Sequence, residues 1–293
     1  MRILSFGSLN IDNVYRVKSI VQPGETIASG SQQVHCGGKG LNQSIALARA
    51  GMEVFHAGMI GMDGQILLTE LEKAHVNTGL IQKSTGKSGH TLIQVDDRGQ
   101  NSIILCGGTN QKITKEYVDE VLVKFQEGDL LLLQNEISYI DYIIARAKDK
   151  RMRILLNPSP LDEKMCQMDL SGVELFFLNE IEGEQITGEK DVERILNALS
   201  EKYPASKIVL TLGKAGAIFR MQGQTCRQNA IHVNAVDTTA AGDTFTGYFI
   251  KEFYNTKSPE KALALATKAA AIAVTKEGAA GSIPILKEVL DFK

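Results

Sequence analysis

Residues 130–157 read LLLLQNEISYIDYIIARAKDKRMRILLN, and this stretch contains the unit that determines the fold. Two short apolar runs, Leu130–Gln134 and Ile154–Asn157, flank Tyr139–Lys150, in which apolar residues recur at helical spacing. Runs this short and this apolar are typical of strands that are buried on both faces. The order strand, helix, strand predicts two parallel strands joined by a crossover helix.

The same alternation extends in both directions from this unit. It predicts a single α/β domain over residues 1–293, with a mostly parallel sheet and helices on both faces. The alanine-rich stretch Ala262–Val274 is predicted to be a buried helix. The other predicted strands and helices are Ile3–Gly7, Val54–Gly58, Leu175–Leu178 and Ile208–Leu212, and Leu41–Ala50, Ile66–Ala74, Lys115–Gln126 and Val192–Lys202, respectively.

Two stretches with strand character interrupt the alternation. They are Tyr15–His35 and Gly89–Leu105, and the second contains a turn at residues 97–100 with no helix between its halves, which indicates a hairpin. We interpret them as one small sheet, about residues 13–36 and 87–106, that projects from the main domain as a lid. A pair of surface hairpins is the alternative interpretation.

Composition restricts the classes of function. The chain is 43% hydrophobic and 23% charged with a net charge of -2, which excludes extended disorder and argues against a nucleic-acid partner. The four cysteines form no C-x-x-C pair and indicate free thiols in a reducing cytosol. No apolar run is long enough for a signal segment or a membrane span, so we expect a cytoplasmic protein without a membrane partner.

The strongest chemical signal is DTTAAGDTF, residues 237–245. Small side chains before a helix leave backbone amides accessible, and the start of a helix favours an anion. Asp243 would then stand at the mouth of an anion site, where proton abstraction is its obvious task. An equally acceptable interpretation is that Asp243 merely caps the helix.

Two further stretches offer polar groups to a ligand. Gly37–Gln43 places Lys39 and Asn42 at the start of a predicted helix, although the stretch taken alone favours a simple glycine turn that leads into a helix. Asn10 and Asp12 follow the first strand, where ligands gather in open α/β sheets. An Asx turn is the alternative for that pair.

Acidic and amide side chains also follow two later strands. Asn179 and Glu182 lie three residues apart at a helix start, which suits a hydrated Mg²⁺ but is equally common for reasons of the helix dipole. Glu136 ends the strand Leu130–Gln134 and either binds substrate or starts a loop. Thr85–Ser88 imitates the end of a P-loop, but Ile81 replaces the required first glycine, and no G-x-G-x-x-G follows the first strand.

Taken together, these motifs resemble those of the ribokinase-like carbohydrate kinases of the phosphofructokinase-B type, nearly from end to end. The glycine-lysine-glycine turn and the Ala-Gly-Asp element are the most specific of them. The matching stretches are Gly7–Asp12, Pro23–Thr26, Gly37–Gln43, Leu156–Pro158, Asn179–Glu182, Thr211–Gly213, Ala235–Thr238, Ala240–Phe245 and Ala269–Thr275.

The resemblance implies ATP-dependent phosphorylation of the primary hydroxyl of a pentose, above all D-ribose to ribose 5-phosphate. It makes Asp243 the general base and assigns the anion hole to the amides of Ala240, Ala241 and Gly242. The residues at sugar-binding positions are Asn10, Asp12, Gly38, Lys39, Asn42, Glu136 and Asp243, and those at nucleotide-binding positions are Asn179, Thr211, Gly213, Lys214, Gly216 and Gly242.

The resemblance also implies two kinds of cation and a homodimer that forms through the lid. Mg²⁺ is expected at Asn179 and Glu182, through water. The positions that match a monovalent-cation site, for K⁺, are Asp237, Thr239, Ala273, Lys276, Gly278 and Ser282.

Four residues depart from the family pattern. His90 and Thr91 on the lid, together with Asn135, make the expected sugar pocket more polar, and Thr267 replaces a histidine near the expected adenine. These departures leave deoxyribose, fructose or a nucleoside open as the acceptor. Alternatives from other classes are a dinucleotide-dependent oxidoreductase and a catalytically silent sugar or nucleotide sensor.

Overall fold

The structure is a computed structural model that describes residues 2–292. Within that range the strands are β1 (Ile3–Phe6), β2 (Asn10–Arg16), β3 (Ser31–Gly37), β4 (Val54–Ile60), β5 (Asn77–Lys83), β6 (Gly89–Val95), β7 (Asn101–Cys106), β8 (Leu130–Gln134), β9 (Arg153–Asn157), β10 (Val173–Asn179), β11 (Lys207–Thr211), β12 (Ala217–Met221) and β13 (Gln224–Gln228). The α-helices are α1 (Lys39–Arg49), α2 (Gln65–Lys73), α3 (Lys115–Leu122), α4 (Ile140–Asp149), α5 (Glu163–Gln167), α6 (Glu180–Thr187), α7 (Val192–Lys202), α8 (Ala241–Thr256), α9 (Pro259–Ala273) and α10 (Leu286–Asp291).

Nine strands form the main sheet in the order β13-β12-β11-β10-β9-β8-β1-β4-β5. The seven strands from β11 to β5 are parallel, and β12 and β13 extend the sheet antiparallel. All six predicted strands are present as β1, β4, β8, β9, β10 and β11, and the predicted alanine-rich helix is α9. The predicted fold class, a mostly parallel sheet, is therefore confirmed.

Successive leucines of β8 explain why helices cover both faces of the sheet. Leu130 and Leu132 belong to a core that includes residues of α1, α8 and α9. Leu131 and Leu133 point the opposite way, into a second core with residues of α3, α4 and α7. Each fully buried leucine contributes roughly 1.5–3 kcal/mol relative to an exposed one, so burial on both sides favours the layered arrangement.

Three strands of the main sheet were not predicted, namely β5 and β13 at its edges and the inner strand β12, which is buried at four of its five positions. β5 buries only Leu80 among its seven residues, and β13 consists of polar residues around the half-buried Cys226. Edge strands have one free side and less contact with the helices, so they carry few apolar residues. Their sequences therefore lack the apolar runs by which the inner strands are recognised.

A separate four-stranded sheet has the order β3-β2-β6-β7. The predicted hairpin at residues 97–100 joins β6 to β7, with Val95 opposite Asn101. The first stretch differs from expectation, because its strands begin at Asn10 and end at Gly37, and residues 17–30 between them lie outside helices and strands. A small second sheet is thus present, and its action as a lid stays a prediction.

Helices α1 and α8 pack closely, and this contact brings their first turns together. A Cβ built on Gly247 would lie 2.5 Å from the Cβ of Ala46, so only glycine allows this approach without a shift. One helical turn before these two residues lie Asn42 and Asp243. Between residues 2 and 292, no helix is long and apolar enough to cross a membrane.

Candidate active site

The first turn of α8 offers backbone amides near a buried acid. Ala240 precedes the helix in the left-handed conformation, with φ 58°, and no side chain of the described residues caps it. The first amides of an α-helix have no acceptor within the helix, and the dipole adds positive charge there. The amide of Ala241 donates to the carbonyl of Thr238 at 3.3 Å, whereas those of Gly242 and Asp243 follow in the uncapped turn. This turn can bind an anion.

Asp243 does not cap the helix, which removes the alternative left open by the sequence. It is the third residue of α8, and its carboxyl group is buried. Asn42 Nδ2 donates to Asp243 Oδ2 at 3.0 Å, and Gln43 Nε2 donates to Oδ1 at 2.8 Å. Both oxygens of Asp243 are thus held by amides of α1.

Lys39 and Glu136 lie beside this carboxylate. The Lys39 amide donates to Glu136 Oε2 at 3.0 Å, and the Ser8 hydroxyl donates to the same oxygen. Burial alone lowers the pKa of the Lys39 ammonium, but the negative charges of Asp243, Glu136 and Glu182 outweigh it and raise that pKa. Burial raises the pKa of Glu136 despite the opposing effect of Lys39 and the two hydrogen bonds. The cluster therefore presents a lysine that stays charged.

Asp12 lies on β2 of the small sheet, opposite Thr91 of β6. The Thr91 hydroxyl donates to Asp12 Oδ1 at 2.7 Å. Burial raises the pKa of Asp12 to about 6, and the charge of Glu136 adds to that shift, while the Thr91 hydrogen bond opposes it. A Cβ on Gly37 would lie 1.9 Å from Asp12 Oδ2, so this glycine makes room for the carboxylate.

The other residues that depart from the family pattern point elsewhere. His90 alternates with Thr91 and so lies on the opposite face of β6, where its Nδ1 lies 3.0 Å from the Ser88 carbonyl. Asn135 Nδ2 donates to the Pro160 carbonyl at 2.7 Å. Of the three residues expected to make the pocket polar, Thr91 is the one that contacts a candidate sugar-binding residue.

Asn10 is held by a residue that the sequence did not indicate. Asn110 Nδ2 donates to Asn10 Oδ1 at 2.7 Å, and Leu9 N donates to Asn110 Oδ1 at 3.1 Å. Gly38, with φ 90°, precedes α1 near the same strand end. These contacts fix the Asn10 amide, and its nitrogen, which has no acceptor among residues 2–292, can donate to a ligand.

The candidate nucleotide residues follow β10 and β11, which are neighbours. Asn179 and Thr211 are register partners at the carboxyl ends of these strands. Gly213, Lys214 and Gly216 form the next turn. A Cβ on Gly216 would lie 2.0 Å from the Gln228 carbonyl oxygen, so close packing against this carbonyl requires glycine at position 216. The two strand ends form one continuous polar edge.

Asn179 and Glu182 form a capping box at the start of α6. Glu182 N donates to Asn179 Oδ1 at 2.9 Å, and Asn179 N donates to Glu182 Oε2 at 3.0 Å. Helix capping therefore explains the orientation of the Asn179 and Glu182 side chains. Glu182 Oε1 takes no part in the capping box and is the oxygen that suits a hydrated cation. No cluster of three or more His, Cys, Asp or Glu side chains that could hold a metal occurs within residues 2–292.

The residues expected around a monovalent cation lie in or beside two loops, and hydrogen bonds connect these loops to each other. Val236 N and Asp237 N donate to the Val274 carbonyl, and Gly278 N donates to Asp237 Oδ2 at 3.0 Å. Thr239 also donates to Asp237, whereas Lys276 Nζ is directed to Glu288 at 2.9 Å. Ala273 and Ser282 border the same loops. Carboxylate and carbonyl oxygens of this kind fit a hard cation.

A cavity of about 350 Å³ lies between the small sheet and these loops. Its lining includes Asp12, Arg16 and His35 on the sheet side and Asp237, Thr239 and Gly278 on the other. The cavity therefore joins the proposed sugar side of the site to the loop that leads into α8.

The sequence patterns missed several residues that hold the site. Gln43 lies within the stretch Gly37–Gln43, whose pattern indicates ligand-binding roles only for other residues, such as Lys39 and Asn42. Gln134 ends the apolar strand Leu130–Gln134, and the pattern indicates no further role for it. A glutamine that ends an otherwise apolar strand was the available signal, because a buried amide needs partners. Ser8 and Asn110 gave no comparable signal.

Comparisons with known proteins identify the family and the fold. Residues 1–286 match the family described as pfkB family carbohydrate kinase. Ribokinase of Haemophilus influenzae is 34% identical over 299 residues, covering 98% of this chain and 96% of that protein. Deoxyribokinase of Salmonella typhi is 28% identical over 302 residues, covering 100% and 98% respectively. A structure of Arabidopsis thaliana ribokinase complexed with ribose and ATP has a TM-score of 0.84 at 27% identity, covering 99% of this chain and 97% of that one.

Proposed function

The chain belongs to the pfkB family of carbohydrate kinases, and we propose that it transfers the γ-phosphoryl group of ATP to the primary hydroxyl of D-ribose, giving ribose 5-phosphate. The observation that carries this proposal is the position of Asp243, a buried carboxylate on the uncapped first turn of α8. The ribokinase relatives support ribose and ATP as the substrates. Family membership removes the oxidoreductase alternative.

Asp243 would act as the general base. Its two oxygens accept one amide hydrogen bond each, which leaves further lone pairs to accept the proton of the sugar hydroxyl. Phosphoryl transfer depends mostly on positioning and on charge stabilisation, and a fixed carboxylate orients the attacking oxygen.

Charge that develops on the transferred group would be stabilised by the start of α8. The amides of Ala240 and Gly242 and the helix dipole supply fixed positive ends there, while the Ala241 amide would have to exchange or share its 3.3 Å hydrogen bond to the Thr238 carbonyl. Lys39 adds a cation whose pKa is raised by the surrounding carboxylates, so it stays protonated at neutral pH.

The sugar would lie between α1, Glu136 and the small sheet. Asn42 donates to Asp243 from this side, and its buried Oδ1 has no hydrogen-bond partner within residues 2–292. Asn10, Asp12 and the Gly38–Lys39 turn supply the further polar groups. Closure of the small sheet over the sugar would exclude water and protect ATP from hydrolysis.

The nucleotide would lie along the edge formed by Asn179, Thr211 and the Gly213–Gly216 turn. Magnesium, bound through water by Glu182 and Asn179, would neutralise charge on the nucleotide phosphates. A monovalent cation, for which we propose K⁺, would be held by the two loops that contain Asp237 and Gly278. Its contribution would be to fix the loop that leads into the first turn of α8.

A second acceptor, deoxyribose, is favoured by one observation. The Thr91 hydroxyl occupies part of the hydrogen-bonding capacity of Asp12, which leaves fewer acceptor sites for sugar hydroxyls. A pentose with one hydroxyl fewer demands less of this side chain. A deoxyribokinase is also among the relatives. Fructose and nucleosides have no comparable support.

The test is ATP consumption over a panel of sugars and nucleosides, with and without K⁺, for the wild type and for Asp243→Asn. We expect D-ribose to give the highest kcat/KM and Asp243→Asn to lower kcat by roughly 10²-fold or more, with sugar binding retained. A preference for deoxyribose would replace ribose but keep the kinase. No turnover with any acceptor would indicate a silent sensor.

A further inference from the structure

Two buried glutamines connect Asp243 to the central strand β8. Gln43 Nε2 donates to Asp243 Oδ1 at 2.8 Å, and Gln134 Nε2 donates to Gln43 Oε1 at 2.7 Å. Both glutamines are fully buried, with 0% of their surface exposed. Neither side chain therefore has surface with which to contact a sugar or a nucleotide.

The direction of these hydrogen bonds follows from the chemistry of the carboxylate. An ionised carboxylate only accepts, so Gln43 must present its Nε2 to Asp243 and its Oε1 to Gln134. Gln134 then has to donate, and its own Oε1 is left buried without a hydrogen-bond partner among the described residues. A reversed Gln43 amide would place an oxygen against the carboxylate oxygen.

Glycine at position 7 makes this arrangement possible. A Cβ built there would lie 2.1 Å from Gln134 Oε1 and 2.7 Å from the Cα of Gly40. Any larger residue would displace the Gln134 amide or the start of α1. The backbone that follows β1 thus leaves room for the Gln134 amide, whose Oε1 accepts no hydrogen bond among the described residues.

We propose that Gln43 is a positioning residue for Asp243 and that Gln134 fixes the orientation of its amide. This inference rests on the proposed function of Asp243 as the base. Asn42 alone leaves the carboxylate free to rotate about the Cβ–Cγ bond, whereas donors on both oxygens fix its plane. The fixed plane directs a lone pair of Asp243 toward the hydroxyl that attacks phosphorus.

The primary test compares Gln43→Leu and Gln134→Met with the wild type. We expect kcat to fall by roughly 10- to 100-fold in Gln43→Leu, since a misplaced catalytic group costs up to about 10². Gln134→Met should give a smaller loss in the same direction. The KM values for sugar and ATP should stay within about twofold, because neither side chain has surface available to either substrate.

Thr244→Val is the matched control. Thr244 follows Asp243 on α8, is fully buried, and its Oγ1 has no hydrogen-bond partner within residues 2–292. Its kcat should equal that of the wild type. A thermal melt of each variant identifies any that fails to fold, and Gln134→Met then serves in place of Gln43→Leu.

A double-mutant cycle distinguishes a positioning role of Gln43 from a general disturbance of the active-site structure. In an Asp243→Asn background, Gln43→Leu should have almost no further effect on kcat, because residues that act as a unit are not additive. An equal loss in both backgrounds, or unchanged kcat in folded Gln43→Leu, would overturn the inference. Wild-type turnover by Asp243→Asn would instead overturn the proposed base.

Discussion

Asp12 and Asp243 are both buried carboxylates, but their neighbours differ in kind. Asp243 accepts hydrogen bonds from two amides, one on each oxygen. Asp12 accepts one from a hydroxyl and lies near the negative charge of Glu136, and its pKa is raised to about 6. The first environment fixes the orientation of the carboxylate proposed as the base, and the second supports a carboxylate that titrates near pH 6.

The sugar affinity should therefore depend on pH through Asp12. A raised pKa means that the carboxylate form, which accepts from sugar hydroxyls, is present above about pH 6 and is lost as pH falls through that value. We expect the sugar KM to rise below pH 6, with the KM for ATP nearly constant. Steady-state kinetics from pH 5 to 8 on the wild type and on Asp12→Asn, which cannot titrate there, checks this. The same inflection in both proteins would exclude Asp12 as its source.

Gly242 should be needed for catalysis and dispensable for folding. Apart from its chain neighbours and the backbone of its own helical turn, no heavy atom of residues 2–292 lies within 4 Å of a Cβ built on Gly242, and its φ is not in the left-handed region. Gly242→Val should then fold but place methyl groups where the phosphoryl group approaches the backbone. We expect a loss of turnover of about 10²-fold or more with a Tm close to that of the wild type.

Gly40→Val is the matched control for that experiment. A Cβ on Gly40 would lie 2.4 Å from the Ser8 amide nitrogen, so any side chain there forces the backbone apart. This variant should lower Tm as well as activity. If Gly242→Val also lowers Tm strongly, the glycine has a structural rather than a phosphate-binding role.

At the scale of elements, hydrophobic burial explains most of what the sequence predicted, and the buried inner strand β12, which was not predicted, is the exception. β8 is buried at all five positions, and its predicted bounds are the observed ones. β13 and β5 lie at sheet edges, where the pattern of apolar residues fades. The small sheet shows a related effect, because strand alternation identified the β6–β7 hairpin but not the start of β2, whose Asn10 is a polar residue buried by Asn110.

The contact between α1 and α8 should control the geometry of the base. Gly247→Ala would place a Cβ 2.5 Å from that of Ala46, so the two helices must move apart by about an ångström to restore ordinary contact. One turn away, the hydrogen bonds from Asn42 and Gln43 to Asp243 would lengthen. We expect kcat to fall more than nucleotide affinity, which stopped-flow binding and steady-state assays can separate.

An alanine substitution elsewhere on α8 provides the comparison. Thr256→Ala lies at the far end of the helix and removes a hydroxyl that donates to the Glu252 carbonyl at 2.9 Å and accepts from the Ser258 amide at 3.2 Å, far from the first turn. It should leave kcat unchanged. Equal kcat in Gly247→Ala and the wild type would mean that the first turns do not depend on this helix contact.

At the scale of the molecule, the sequence indicated candidate site residues but not how they are held. Its motifs lie at strand ends and helix starts, which parallel topology brings to one edge, and in the structure the charges of Asp243 and Glu136 both act on Lys39 there. The Gln43–Gln134 hydrogen bond joins residues 91 positions apart, and that of Asn10 with Asn110 joins residues 100 apart. Pairings at such separations depend on side-chain geometry that no local pattern encodes.

The small sheet has one face that the rest of the described chain leaves uncovered. Val34, Leu92 and Ile104 are register neighbours across Asn13 on that face, and they are 49%, 39% and 63% exposed. The opposite face carries Asp12 and lines the cavity. In addition, β3 and β7 are edge strands with unpaired backbone groups. An apolar row between two open edges favours pairing with a second copy of the chain.

We therefore predict a homodimer that forms through the small sheets. Leu92→Lys combined with Ile104→Lys should convert it to a monomer, because two like charges on each copy would meet across the symmetric interface. Sedimentation equilibrium over a range of concentrations measures this, with Val123→Lys, an exposed residue after α3 on the main domain, as the control. A monomeric wild type, or a double variant that stays dimeric, would contradict the prediction.

If the dimer also stabilises the closed position of the small sheet over the sugar, the monomeric variant should have a higher sugar KM and faster ATP hydrolysis without sugar, because the closed state would be less populated.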